Sequence, residues 1–296
     1  MKRIVTPGTL PTADLHQYLL GAVAPRPIAF VSTIDAEGRV NLAPYSFFNA
    51  FSSNPPILVF SSNRRVENNT TKDTLHNIME SRECVVNVVS YPIVHQMMVC
   101  SVDFPNDISE FEQTGLTPIP ASQVKAPLVK ESPVNMECRV TDILTLGDQG
   151  GAGHLIICNV VCMHIDESVL DENQRIDPHK IDLMGRMGRA FYVRASGAAV
   201  MSMPQSHKLP IVGYPNLPEH IRQSKFITAN LIGALAGMKE LPKNQDAITN
   251  ILSWESGDQI VSLDPDTKHQ MAQEYFNGNH LEKAAALLMS IEAKTK

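Results

Sequence analysis

The residues with the clearest chemical potential lie in NLAPYSFFNAFSSNPPILVFSSNRRVENNTTKDT, residues 41–74. A mixed polar and apolar turn region, Asn41–Asn49, leads to an apolar strand, Pro56–Phe60, and then to a donor-rich loop, Ser61–Thr71. The loop closes on Lys72-Asp73-Thr74, which reads as a helix N-terminus. Hydroxyls, amides and three cations (Arg64, Arg65 and Lys72) thus fall within a few residues of a strand end. The first N–H groups of a helix lack partners within it and carry the positive end of its dipole, so this collection suits a phosphate. The same residue types also build ordinary surface loops and caps, and residue type alone leaves both readings open.

Other reactive residues form no comparable group. His76, His95, His154, His164, His179 and His207 are scattered and show no metal-ligand spacing, so surface or satisfied-core roles are expected. Ser46 lies in no G-x-S-x-G elbow, which disfavours a hydrolase. The five cysteines (Cys84, Cys100, Cys138, Cys158 and Cys162) sit mostly in apolar segments and read as buried free thiols of a reducing compartment. Cys158 and Cys162 are expected on one face of a strand, but no CxxC pair or His partner completes a zinc set, and no metal is expected. The glycine-rich Gly147–Gly153 is followed by a strand, so it is a hairpin turn and not a dinucleotide fingerprint.

The elements that must position these residues are mostly strands. Thr12 can cap a short helix that Pro25-Arg26-Pro27 stops; Pro27–Ile34 and Val40–Ala43 then read as a hairpin about Asp35–Gly38. Pro44–Phe51 carries Phe47, Phe48 and Phe51 and reads as core packing. Lys72–Arg82 is helical, Cys84–Val89 is a β-branched strand interrupted by Asn87, and Pro92–Val99 is a second helix. Residues 103–133 form a long proline-rich excursion, and loops of that length are usually functional. Val134–Leu146 and His154–His164 make the clearest β pair, and Ala190–Val193 adds a short strand. Many strands with few long helices between them indicate an antiparallel barrel or sandwich, a mainly β fold.

The character changes near residue 200. Helices are expected at His220–Met238, Asp246–Leu252, Pro265–Phe276 and Leu281–Ile291, so the chain divides into residues 1–200 and a helical extension, residues 201–296. Trp254 belongs to that extension and reads as packing for its helices. Of 296 residues 43% are hydrophobic and 19% charged, a composition with ample core. The net charge of −6, from 25 basic and 31 acidic residues, argues against nonspecific nucleic-acid binding, and no basic arm is visible. No uninterrupted apolar run approaches a membrane span, and no signal peptide is visible at the N-terminus, so a cytoplasmic protein is expected.

Five segments in register resemble the flavin reductase-like, FMN-binding split-barrel family: PRPIAFVSTID, AEGRVNLAPYSFFNAFSSNPP, ILVFSS, KDTLHNI followed by CVVNVV, and GRMGRAFYVR. They cover roughly residues 20–195, and YPNLPEHIRQSKFITANLIGALAGM is similar to a C-terminal extension of some members. The resemblance implies a six-stranded Greek-key barrel, a homodimer, and noncovalent FMN, sometimes FAD. It also implies reduction by NADH or NADPH, with electrons passed to free flavin or another acceptor.

The same resemblance places Tyr45, Ser46 and Phe47 along the isoalloxazine edge, and Ser61, Ser62 and Asn63 at the ribityl chain or phosphate. Lys72 would pair with the phosphate, Thr74 would donate a hydroxyl, and Asp73 would cap the helix. Arg186 approaches flavin or nicotinamide, with an ion pair to Asp182 equally open; of Arg64 and Arg65, one could bind phosphate while the other faces water. Many relatives carry Gly-Gly where this chain has Gly188-Arg189, which leaves the hydride donor open. Such a site needs little acid–base chemistry from the protein, since the cofactor transfers the electrons. The leading expectation is an NAD(P)H-dependent flavin oxidoreductase. The alternatives are a flavoredoxin-like FMN carrier reduced by a partner protein, and a non-catalytic split-barrel binding module.

Overall fold

A computed structural model describes residues 1–203, 208–242 and 263–291. The chain forms two compact units, Met1–Met201 and Ser202–Lys296.

The first unit opens with α1 (Thr12–Ala22), followed by β1 (Ala29–Ile34), β2 (Val40–Tyr45), β3 (Phe48–Ser53) and β4 (Pro56–Asn63). Next come α2 (Asp73–Ser81), β5 (Glu83–Val88), α3 (Val94–Val99), α4 (Glu110–Thr114) and the two-residue strands β6 (Pro118–Ile119) and β7 (Leu128–Val129). The long hairpin β8 (Val134–Thr145) and β9 (Gly153–Ile165) and the short hairpin β10 (Leu183–Arg186) and β11 (Tyr192–Ala195) complete it.

Seven strands form one antiparallel sheet in the order β2-β1-β5-β8-β9-β4-β3. Its two edge strands, β2 and β3, are consecutive in the chain, with only Ser46 and Phe47 between them. So short a link spans at most about 11 Å. Opposite edges of the sheet must therefore meet, and the sheet rolls into a barrel whose seam is the Ser46-Phe47 turn. The Ser61 N–H donates to the Phe47 carbonyl at 2.9 Å and fastens that turn to β4.

The barrel is filled by inward residues such as Val31, Ala43, Leu58, Phe60, Val86 and Ile156, and α2 plugs it with Leu75 and Ile78. Each large side chain so removed from water stabilises the fold by roughly 2 kcal/mol. Asn87, expected to interrupt its strand, is instead a fully buried junction. It donates to the Phe30 carbonyl and accepts from the Val129 N–H and the Asn135 amide.

Several boundaries differ from the sequence expectation. Ser61–Asn63 extends β4 instead of starting a loop, because these residues pair with Leu155, His154 and Gly153 of β9. Pro44–Phe51 is not a block of core: it splits into the end of β2, the seam turn and β3, and Phe51 is 68% exposed. Residues 103–133 hold α4 and the β6–β7 pair. Cys158 and Cys162 do not share a face. Register slips between Glu137↔Cys162 and Cys138↔Val160, leaving Val161 as an extra residue that re-aims the C-terminal end of β9. Cys158 lies in the barrel core, and Cys162 is directed elsewhere.

The second unit contains α5 (Glu219–Arg222), α6 (Ala229–Gly237) and the helices Pro265–Asn277 and Leu281–Met289. The single helix expected over His220–Met238 is thus two, and Thr228 caps the second by accepting from the Leu231 N–H. Leu231 and Leu235 meet Ala284–Leu288 in a separate core, where the alanines allow close approach. The expected helix Asp246–Leu252, Trp254 and His207 lie outside the described residues.

Candidate functional site

Tyr45 ends β2 with its ring buried against Phe60, centroids 5.1 Å apart. Its hydroxyl has no partner at hydrogen-bond geometry among the described residues. Burial pushes its pKa up to about 12, and the Thr74 and Ser62 hydroxyls beside it pull the other way. Ser62, on β4 and 1% exposed, likewise has an unpartnered Oγ, although its carbonyl meets His154 Nδ1 at 3.1 Å. Two buried hydroxyls without partners stand side by side where nearly all such groups are satisfied.

The start of α2 faces them. Lys72 Nζ lies 5.2 Å from the Tyr45 ring centroid, with no hydrogen bond or ion pair to it among the described residues. Burial lowers the Lys72 pKa, with the Arg65 charge adding to the effect. Lys72 is also the N-cap residue, and its side chain caps nothing. Asp73 does not cap the helix as expected: it is the first helical residue, and the Asn106 amide, turned to satisfy both groups, donates to its carboxylate at 3.0 Å. The α2 N-terminus therefore has no side-chain cap. Thr74 is buried and its Oγ1 accepts from Asn41 Nδ2 at 2.9 Å.

Ser61 Oγ donates to Asn63 Oδ1 at 2.7 Å, and a Cβ at Gly153 would lie 2.5 Å from that hydroxyl, so the pair needs glycine across the ladder. The loop cations are committed elsewhere. Arg64 holds Asn69, and Arg65 holds Thr70, the Thr71 carbonyl and the Asp103 carboxylate. Both shape the loop that delivers Lys72.

A second group collects at the seam. Ser46 Oγ accepts from Arg26 Nε at 3.4 Å, and the Arg26 guanidinium lies 5.9 Å from the Phe47 ring centroid. Arg26 also donates to the carbonyls of Leu20, Val23 and Met187. One buried guanidinium therefore joins the end of α1, the seam turn and the β10–β11 hairpin. Local sequence does not single out that role. The signal was Arg26 itself, a cation between two prolines at the head of an apolar strand. Arg186 is brought alongside through paired backbone bonds with Arg26, 2.8 and 2.9 Å, and its charge helps lower the Arg26 pKa, second to burial. Arg186 stacks on Tyr192 at 4.5 Å, and the ion pair left open for it belongs to Arg194, which grips both Asp182 oxygens at 2.7 Å. Arg189 is exposed and held at φ 56°, a backbone region that glycine occupies without strain.

An open pocket of about 160 Å3 on the other side of α2 is lined by Asp35, Glu37, Asp73, Glu80 and Glu110 among others. Arg39 also lines it, paired with Asp35 and Glu37, but the remaining carboxylates leave this pocket acidic and unsuited to a phosphate.

The model of the flavin reductase-like domain matches residues 21–181, more than half of the chain. The chain belongs to the flavin reductase-like family. An uncharacterised protein of Aquifex aeolicus is 39% identical over 183 residues, 62% of this chain and 91% of that protein. Among solved structures, nitrilotriacetate monooxygenase component B from Bacillus cereus superposes with a TM-score of 0.62 at 29% identity, covering 71% of this chain and 99% of the other. The 2-nitrobenzoate 2-nitroreductase of Pseudomonas fluorescens gives 0.60 at 30% identity, covering 71% and 100%. The match to the flavin reductase-like model takes in the seam turn, β4 and α2, whereas the helical unit Ser202–Lys296 lies beyond it.

Proposed function

We propose that this flavin reductase-like chain binds FMN at the seam of its barrel and passes electrons from NADH or NADPH through it to an acceptor. The observation that carries the reading is the pair of unpartnered buried hydroxyls, Tyr45 and Ser62, beside Lys72 at the uncapped start of α2. These groups fit a phosphorylated flavin: Lys72 supplies charge, the α2 N–H groups supply donors, and Ser62 gains the partner it lacks. Thr74 and Asn41 set the helix start against β2, while Ser61 and Asn63 offer polar contacts along β4. Backbone groups of Tyr45, Ser46 and Phe47 orient the ring edge, and Arg186 borders the open side where a nicotinamide could approach. When bound, the flavin supplies the hydride and electron chemistry. The protein would orient it and hold its phosphate. The solved relatives, a monooxygenase component and a nitroreductase by name, support a redox role. The flavin in this reading is FMN, with Lys72 and the α2 N–H groups serving its single phosphate. The reading includes a homodimer and a cytoplasmic setting.

The test is an anaerobic titration of FMN-loaded protein with each nucleotide, followed at the flavin bands. Bleaching by NADH or NADPH is expected. Retained FMN with no nucleotide oxidation would transfer the reading to an electron carrier served by a partner protein. Failure to take up FMN would remove both. A comparison with riboflavin isolates the phosphate: wild type should prefer FMN, and Lys72→Ala should lose most of that preference.

A further inference from the structure

On the outer side of the β8–β9 hairpin, the slip that re-aims Cys162 brings three different ligand types together. Glu137 and Cys162 are cross-strand partners, and His164 lies two residues further along the same strand. Glu137 Oε1, Cys162 Sγ and His164 Nε2 all lie within 4.8 Å of one another. We propose that these three side chains bind a borderline divalent cation of the Zn2+ class, with water or an exogenous ligand in the fourth position.

Glu137 is fully buried, yet its carboxylate is held ready as an anion. Oε1 accepts from the Ser122 N–H and hydroxyl at 2.9 and 2.7 Å, and Oε2 accepts from the Gln123 and Val124 N–H groups at 2.6 and 3.0 Å. His164 Nε2 meets Oε1 at 2.6 Å, and Cys162 Sγ lies 3.7 Å from the same nitrogen. Because one ring nitrogen faces both partners, the arrangement is not a nucleophile relay, in which the base would use one nitrogen for each. It is a set of three donors converging on one point. Tetrahedral zinc with bonds of about 2.3 Å to sulfur and 2.0 Å to nitrogen separates those ligands by roughly 3.6 Å, close to the spacing present. The His164–Glu137 contact would open by less than about 1 Å as the ion replaces the shared proton.

A mixed thiolate, imidazole and carboxylate set favours Zn2+ or Co2+ over Mg2+ or Ca2+, which prefer oxygen. Cys162 and His164 are half-buried, so an ion can reach them. The other converging trio, Cys84, Cys138 and Cys158, is sealed in the barrel core and serves as an internal control. Metal ligands bind in their deprotonated form, so affinity should fall as pH is lowered.

The full chain, stripped of metal and kept reduced, would be titrated with Co2+ and then with Zn2+. Expected is a thiolate-to-cobalt charge-transfer band that saturates at one ion per chain and is displaced by Zn2+. Cys162→Ser should abolish the band, and His164→Gln should weaken binding by more than the roughly tenfold to hundredfold that loss of an outer-shell partner costs. Both positions are half-exposed, and unchanged circular dichroism would confirm folding. No thiolate band in wild type, or a band that persists in Cys162→Ser, would overturn the proposal. The second result would assign the ion to the core cysteines instead.

Discussion

Ser62 and Tyr45 carry buried oxygen atoms with no partner at hydrogen-bond geometry among the described residues. Each such group costs about 1–3 kcal/mol. Ser62→Ala should therefore raise the stability of FMN-free protein by about 1 kcal/mol and also weaken FMN binding; denaturant melts and a fluorescence titration of one variant check both halves. A hydroxyl with a purely structural role would lose stability instead. Glu137 shows the opposite balance. Burial pushes its pKa up, but hydrogen bonds from the His164 and Ser122 side chains and the 122–123 N–H groups outweigh that and hold it down to about 2 from an ordinary 4.5. A carboxylate depressed on folding adds stability above its unfolded pKa and loses it as pH falls through the folded value. Glu137→Gln should thus cost about 2 kcal/mol at neutral pH, and the gap to wild type should close between about pH 4.5 and pH 2. Urea melts across that range measure it.

At the scale of elements, the Arg26 guanidinium sets the position of everything around the seam. It holds three carbonyls from α1, the segment after it and the β10–β11 hairpin, besides Ser46. A lysine has the charge without the planar fork and cannot serve all four acceptors. Arg26→Lys should cost about 2–4 kcal/mol and speed amide exchange at 183–195 more than in the barrel strands. In the same hairpin Arg189 occupies a left-handed conformation. Arg189→Gly should stabilise the protein by about 0.5–1 kcal/mol, read as a rise in melting temperature. The element boundaries that the sequence obscured have a common cause. Ser61, Ser62 and Asn63 are poor strand formers by type, and only pairing with Gly153, His154 and Leu155 makes them strand. Asn87 looked like a break because its partners come from β1, β7 and β8.

The whole molecule consists of two units with separate cores, so residues 1–201 alone should fold cooperatively and keep their affinity for FMN. Loss of FMN binding in that fragment would give the helical unit a part in the site. The range of each interaction explains how far the sequence could be read. Period-two strands, the Asp35–Gly38 turn, the KDT helix start and the family's five segments are local patterns, and they determined the barrel class, the helical tail and the candidate cofactor residues. The features they left undecided depended on residues distant in the chain. The orphaned hydroxyls become visible only when β2 and β4 meet, and Arg26 becomes a hub only when α1 and a hairpin 161 residues onward converge on it. Asp182 chose Arg194 over Arg186 through β10–β11 pairing, and one extra residue at Val161 turned Cys162 towards Glu137. Periodicity records which residues share a face while the register holds; a bulge, a seam or a buried charge is decided by the neighbour that tertiary folding supplies.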